Sequence, residues 1–174
     1  KSNNKKARGS SQEALNSLYN LQSTLSMIQQ QFQNETVSEM AAKLEKIMRD
    51  FLFLSKKQEN LKEKTSSLSR NSSRLKAMTY NQQLIQDQLR QTTKQMIELS
   101  KETFSITPEI GKAVGLVNNS IEKTKSDLTD RKIHDAMNNQ NIAIKGLNET
   151  ALYLFQNIKQ MQSSGSASGF EQFL

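Results

Sequence analysis

From Ile133 to Met161 nine core-type positions recur at alternating spacings of four and three: Ile133, Met137, Gln140, Ile144, Leu147, Ala151, Leu154, Ile158 and Met161. A repeat averaging 3.5 residues returns to the same side of an α-helix, so an unbroken run of this kind dictates a helix with a narrow apolar seam. At 1.5 Å per residue it makes a rod of about 43 Å. Such a seam does not stay folded alone in water and must lie against other helices. The chain is therefore expected to be all-α, an elongated antiparallel bundle of about five helices with coiled-coil-like packing. Ile133, Met137, Ile144, Leu147, Ala151, Leu154 and Ile158 are its central seam.

The preceding chain supplies the covering helices. Residues 1–9 are polar and aperiodic, and read as a flexible basic tail. Ser10 and Glu13 have capping-box spacing, and Ala14, Leu18, Leu21, Leu25, Ile28 and Phe32 then follow the four-three rhythm, giving a first helix over 10–33. Asn34, Glu35 and Thr36 interrupt it. Thr36 with Glu39 repeats the capping spacing, ahead of Val37, Met40, Leu44, Ile47, Phe51, Leu54, Gln58 and Leu61 in a second helix over 36–68. Its consecutive Phe51, Leu52, Phe53 and Leu54 imply burial on more than one side. Ser- and Asn-rich residues 64–74 favour a turn over a continuous helix, since the next stripe is out of phase by three: Leu75, Met78, Gln82, Ile85, Leu89, Met96, Leu99 and Thr103. That stripe predicts a third helix over 73–104.

Thr107-Pro108-Glu109 is the clearest start signal in the chain. It joins a capping residue, a proline whose missing N–H costs nothing at the first helical position, and an acid at the positive end of the helix dipole. It opens a fourth helix over 108–129, with Ile110, Val114, Val117, Ile121, Thr124 and Leu128 as its stripe. Gly111 and Gly115 lie one turn apart and suggest close approach by a neighbouring helix. The seam helix occupies 132–162, residues 163–169 read as a Gly/Ser linker, and 170–174 begin a further element.

Composition narrows the function classes. The hydrophobic share of 34% suits thin seams better than a rounded core, and no apolar run approaches the ~20 residues needed to span a bilayer. No signal-peptide pattern is present, and with no cysteine there is neither disulfide nor thiolate chemistry. Of the net charge of +7, Lys1, Lys5, Lys6 and Arg8 supply four, and the remainder of the chain mixes its signs, as in Glu39 before Lys43 and Glu45 before Arg49. That distribution lacks the basic face of a nucleic-acid binder.

Reactive chemistry finds little footing. His134 is the sole histidine and reads as a helix-start residue, while Asp127 and Asp130 read as solvated and capping residues. Neither a nucleophile elbow nor a phosphate-binding glycine pattern occurs, so no catalytic, cofactor-binding or metal site, no cofactor and no small-molecule ligand is expected. Gln58, Gln82 and Gln140, with Thr103 and Thr124, fall on the seams. They are read as register-setting contacts, as a ligand layer, or as partly exposed positions at the bundle surface, with register favoured over ligand.

Four stretches carry a resemblance: Glu98-Leu99 to Thr103, Ile106-Thr107-Pro108-Glu109-Ile110, Ala143-Ile144 with Leu147-Asn148 and Ala151, and Met161 to Ser166 leading into Gly169-Phe170-Glu171-Gln172. The segment 95–174 resembles part of a family of large bacterial envelope proteins described only as a domain of unknown function. The resemblance implies a membrane-anchored parent with a long helical region and a Gln-rich continuation, and brings no activity to transfer. The expectation is thus a non-catalytic structural or protein–protein interaction module of the bacterial envelope, on the periplasmic side of a membrane-anchored parent, with the cytoplasmic side as the alternative, that binds a protein partner or itself. Membrane contact would come only through other parts of that parent. An anionic membrane surface or nucleic acid, held by the basic tail, is the alternative. At the C-terminal end Phe170, Phe173 and Leu174 have the spacing of helix-in-groove anchors and are expected to dock beside the end of the seam helix, on this chain or a neighbouring copy.

Overall fold

The computed structural model describes residues 2–103 and 107–167; of these, the side chains of 2–11, 13–15, 17, 33, 102–103 and 164–167 lie outside the description. Four helices follow in order, α1 (Ser2–Ser66), α2 (Leu75–Thr103), α3 (Pro108–Thr129) and α4 (Ile133–Ala167), and no strand occurs among the described residues. The chain divides into two compact units, one spanning Met40–Met161 and the other combining Lys1–Glu39 with Gln162–Leu174.

The Met40–Met161 unit is an all-α bundle of four helical segments. Its core is built from the four-three positions of each: Leu44, Ile47, Phe51, Leu54 and Leu61 of α1, Leu75, Met78, Ile85, Leu89, Met96 and Leu99 of α2, Ile110, Val114, Val117, Ile121 and Leu128 of α3, and Leu147, Ala151, Leu154 and Ile158 of α4. Polar contacts tie neighbouring segments in sequence order. Lys57 donates to Gln88 between α1 and α2, Lys125 to Gln86 between α2 and α3, Asn139 to Asp127 between α3 and α4, and Lys62 to Asn141 between α1 and α4. The connections α1–α2 and α3–α4 meet at one end, where Arg131 Nη1 donates to the Arg70 carbonyl at 3.2 Å. Short connections and these pairings give alternating up-and-down helices.

Helix ends follow local chemistry. Ser66 and Ser67 turn their hydroxyls onto the carbonyls of Glu63 and Lys64, so the Ser-rich stretch closes α1 and leaves a turn ahead of Leu75. At the end of α3, Lys132 N–H donates to Asp127 and Arg131 N–H to Leu128, with Arg131 at φ 62°. That is a Schellman ending with a non-glycine residue in the left-handed position, a conformation costing roughly 1–2 kcal/mol outside glycine. Asp130 is the C-cap, as its capping role predicts.

The structure corrects several expectations. The described residues form four helices, because residues 34–36 do not interrupt α1: the Thr36 hydroxyl donates back to the Phe32 carbonyl at 2.8 Å and Gln31 bonds Glu35 one turn on, both interior-helix contacts. Residues 2–9 are helical, and α4 continues through Ala167 into the sequence read as a linker. Leu52 and Phe53 are exposed and not part of a thicker core; Lys57 Nζ sits 4.6 Å over the Phe53 ring, shielding it by cation–π contact. Phe170, Phe173 and Leu174 lie outside the described residues.

On α4 the buried face is turned slightly from the predicted seam. Gln140, Leu147, Ala151, Leu154 and Ile158 are buried, whereas Ile133, Met137, Ile144 and Met161 are half-buried. Ala136, Ala143, Gly146 and Thr150 take the vacated room. Their small size lets α3 come close: a Cβ at Gly146 would stand 2.6 Å from Val117 Cγ2 and 3.4 Å from the Ala113 carbonyl oxygen. Gly111 and Gly115, the pair that the sequence points to, have nothing within 4 Å of such a Cβ.

Candidate functional site

Two features go beyond ordinary helix packing, one in each unit. The first is a polar layer inside the bundle. The four-three seams place Gln58, Gln82 and Gln140 at inward positions on three helices, and all three side chains are fully buried. Gln58 Nε2 donates to Gln82 Oε1 at 2.9 Å while Gln82 Nε2 donates to Gln58 Oε1 at 2.7 Å, a reciprocal amide pair. Gln140 Nε2 reaches both Gln82 Oε1 and Thr65 Oγ1 at 3.3 Å, and Thr65 in turn donates to the Leu61 carbonyl. Thr124 is buried as well, its hydroxyl spent on the Ser120 carbonyl within α3.

These contacts remove the partly exposed reading of Gln58, Gln82 and Gln140; Thr103 has its side chain outside the described set. The layer's energetics are those of an alignment device. A one-turn slip of α1 against α2 separates two buried amides that have no water to turn to, at about 1–3 kcal/mol for each group left unmade. Gln140 Oε1, buried without a hydrogen-bond partner, carries such a cost already. The layer thus selects one packing of the helices more than it deepens the fold's stability.

The second feature lies in the other unit, on the N-terminal half of α1. Leu18, Leu21, Leu25, Ile28 and Phe32, the four-three stripe that predicts a packed helix, are all exposed, from 55% for Ile28 to 71% for Phe32. Tyr19 and Met27 beside them are exposed too. Single exposed apolar residues are ordinary, but five in heptad register on one helix face are a contiguous strip of the kind that marks an interaction surface. Between Ala14 and Asn34 the sequence contains no charged residue, so the strip is flanked by neutral glutamine, serine, threonine and asparagine.

Elsewhere the chemistry is modest. Among the described residues no group of three or more His, Cys, Asp or Glu could hold a metal ion, and no helix is long and apolar enough to cross a membrane. His134 is exposed, its Nδ1 3.2 Å from Asn138 Nδ2. The groove between α1 and α2 has an apolar floor of Leu61, Leu84 and Ile85 under a rim of Lys57, Lys64 and Gln88. Ion pairs such as Arg49 with Glu45 and Lys145 with Glu149 join exposed side chains one turn apart and add little stability. Hydrogen bonding from its own backbone N–H, then from the Thr107 hydroxyl, holds the Glu109 carboxyl below the ordinary carboxylate range. Thr107 is the N-cap by backbone geometry, yet its side chain makes no bond to the helix backbone and serves Glu109 instead.

Compared with known proteins, the chain matches no family model, and no curated protein or solved structure matches it.

Sequence reasoning located the glutamines and the α1 stripe by periodicity alone. It missed Gly146, whose significance lies in a neighbour on another helix and leaves no mark in the local pattern. It also assigned the α1 stripe to the bundle, because a four-three repeat specifies a face to be covered without specifying by what.

Proposed function

We propose that this chain is a non-catalytic helical interaction module, with the apolar stripe Leu18, Leu21, Leu25, Ile28 and Phe32 as its working surface. The observation that carries this reading is the exposure of that whole stripe on a continuous helix, α1, whose later four-three positions are buried in the bundle. Full burial of a large apolar side chain is worth about 1.5–3 kcal/mol, and these five, 55–71% exposed, leave more than half of it for docking to recover. The glutamine layer supports the same role, since a bundle with one fixed helix alignment is a suitable scaffold for presenting a helix. The resemblance of 95–174 to helical regions of membrane-anchored bacterial envelope proteins supplies the setting, the periplasmic side of such a parent.

The test compares the intact chain with Leu21→Asp/Ile28→Asp and with a variant in which Lys1, Lys5, Lys6 and Arg8 are neutralised, measuring protein binding and binding to anionic vesicles at low and high salt. Loss of protein binding in the stripe variant, little affected by salt, supports the module. Binding that vanishes in the neutralised variant and falls steeply with salt would favour an anionic surface and overturn it.

A further inference from the structure

Resting on that reading, we propose that the partner of the α1 stripe is a second copy of the same stripe, paired antiparallel. In heptad terms Leu18, Leu25 and Phe32 occupy one seam column and Ala14, Leu21 and Ile28 the other. When two such helices run in opposite directions, each residue of one column meets a residue of the other. A single register fills every layer: Leu18 faces the second copy's Ile28, Leu21 faces its Leu25, and Ala14 faces its Phe32, each pairing occurring twice. Large opposite small at the ends and medium opposite medium in the middle is the arrangement that packs without voids. A parallel pair would instead stack Phe32 on Phe32 and leave Ala14 against Ala14.

Charge selects the same direction. Lys1, Lys5, Lys6 and Arg8, with one acid, Glu13, precede the stripe and Glu35 and Glu39 follow it, with nothing charged from Ala14 to Asn34, so the leading end stays net basic and the trailing end acidic. A parallel pair sets four basic residues beside four basic residues. The antiparallel pair brings each basic end to the partner's glutamates, and the neutral flanks, Gln22, Thr24, Gln29 and Gln31, oppose neither direction.

The area is adequate for a reversible dimer. Partly exposed side chains of this size have roughly 60–120 Å² each left to bury, so the five contribute on the order of 600–1,200 Å² over both copies. With the flanking residues this reaches the lower part of the ~1,200–2,000 Å² range of specific interfaces, the size of a reversible contact.

Sedimentation of the full chain over rising concentration tests the proposal. The mass should double for the wild type and stay monomeric for Leu25→Asp, with the thermal melt of the bundle unchanged because Leu25 is exposed. Direction is read by cross-linking, which the absence of native cysteine makes clean. Leu21→Cys mixed with a differently tagged Leu25→Cys should give a disulfide-linked heterodimer in several-fold excess over either homodimer. A wild type that remains monomeric, a Leu25→Asp variant that still dimerises, or homodimers cross-linking as well as the mixture would each overturn it. A monomeric wild type whose stripe still captures a different protein would leave the module reading standing and sink only this one.

Discussion

Gln140 and Gln58 look equivalent in sequence, two glutamines on helix seams, but their bonding makes opposite forecasts. Removing the Gln140 amide leaves Gln82 Oε1 bonded to Gln58 and the Thr65 hydroxyl bonded to Leu61, and it deletes the one unpaired acceptor in the layer. Gln140→Leu is therefore expected to be neutral or stabilising. Gln58→Leu strands Gln82 Nε2 in the core and should cost about 1–3 kcal/mol. Chemical denaturation of the two variants checks the ordering, and equal losses would show that the amides contribute by bulk alone. Glycines divide likewise. Gly146→Ala must displace the Val117 side chain, which the α3 backbone at contact distance behind it confines, and is expected to destabilise by about 1–3 kcal/mol, whereas Gly115→Ala meets open space and should gain roughly 0.5–1 kcal/mol from helix propensity. The sequence flagged Gly115 and passed over Gly146, since only the packed neighbour tells them apart.

Each bundle element was largely legible because its apolar positions keep the four-three rhythm that burial requires. The stripes over Leu44–Leu61, Leu75–Leu99 and Ile110–Leu128 are buried as read, and Thr107-Pro108-Glu109 opens α3 where expected. Residues 34–36 misled for a physical reason. Thr36 has the same sequence signature whether its hydroxyl caps a new helix or bonds back to Phe32, and the surrounding helix decides. Glu109 supplies the test at this scale. Its carboxyl is held below its ordinary pKa, so its contribution to stability is complete above the unfolded value of about 4.3 and fades as the pH falls through the lower folded value. The melting curves of wild type and Glu109→Gln should differ at neutral pH and converge once both folded and unfolded carboxyls are protonated. A constant difference across that acid range would contradict the assignment.

At the scale of the whole molecule, periodicity predicted an all-α bundle and could not apportion its stripes between units. The Met40–Met161 unit covers its own seams, while the stripe on the N-terminal half of α1 stays in water. An exposed helix of that length is marginal alone, whereas a bundle core protects its amides cooperatively. Hydrogen exchange on the full chain, followed from dilute to concentrated solution, therefore reads the central claim directly. Amides over 44–61, 78–99, 111–128 and 136–158 should be protected at every concentration, and those over 18–32 should exchange quickly when dilute and slow as concentration rises. Strong protection of 18–32 that is already complete in dilute solution, or bundle amides that exchange as freely as the stripe, would contradict a self-sufficient bundle presenting an associating helix.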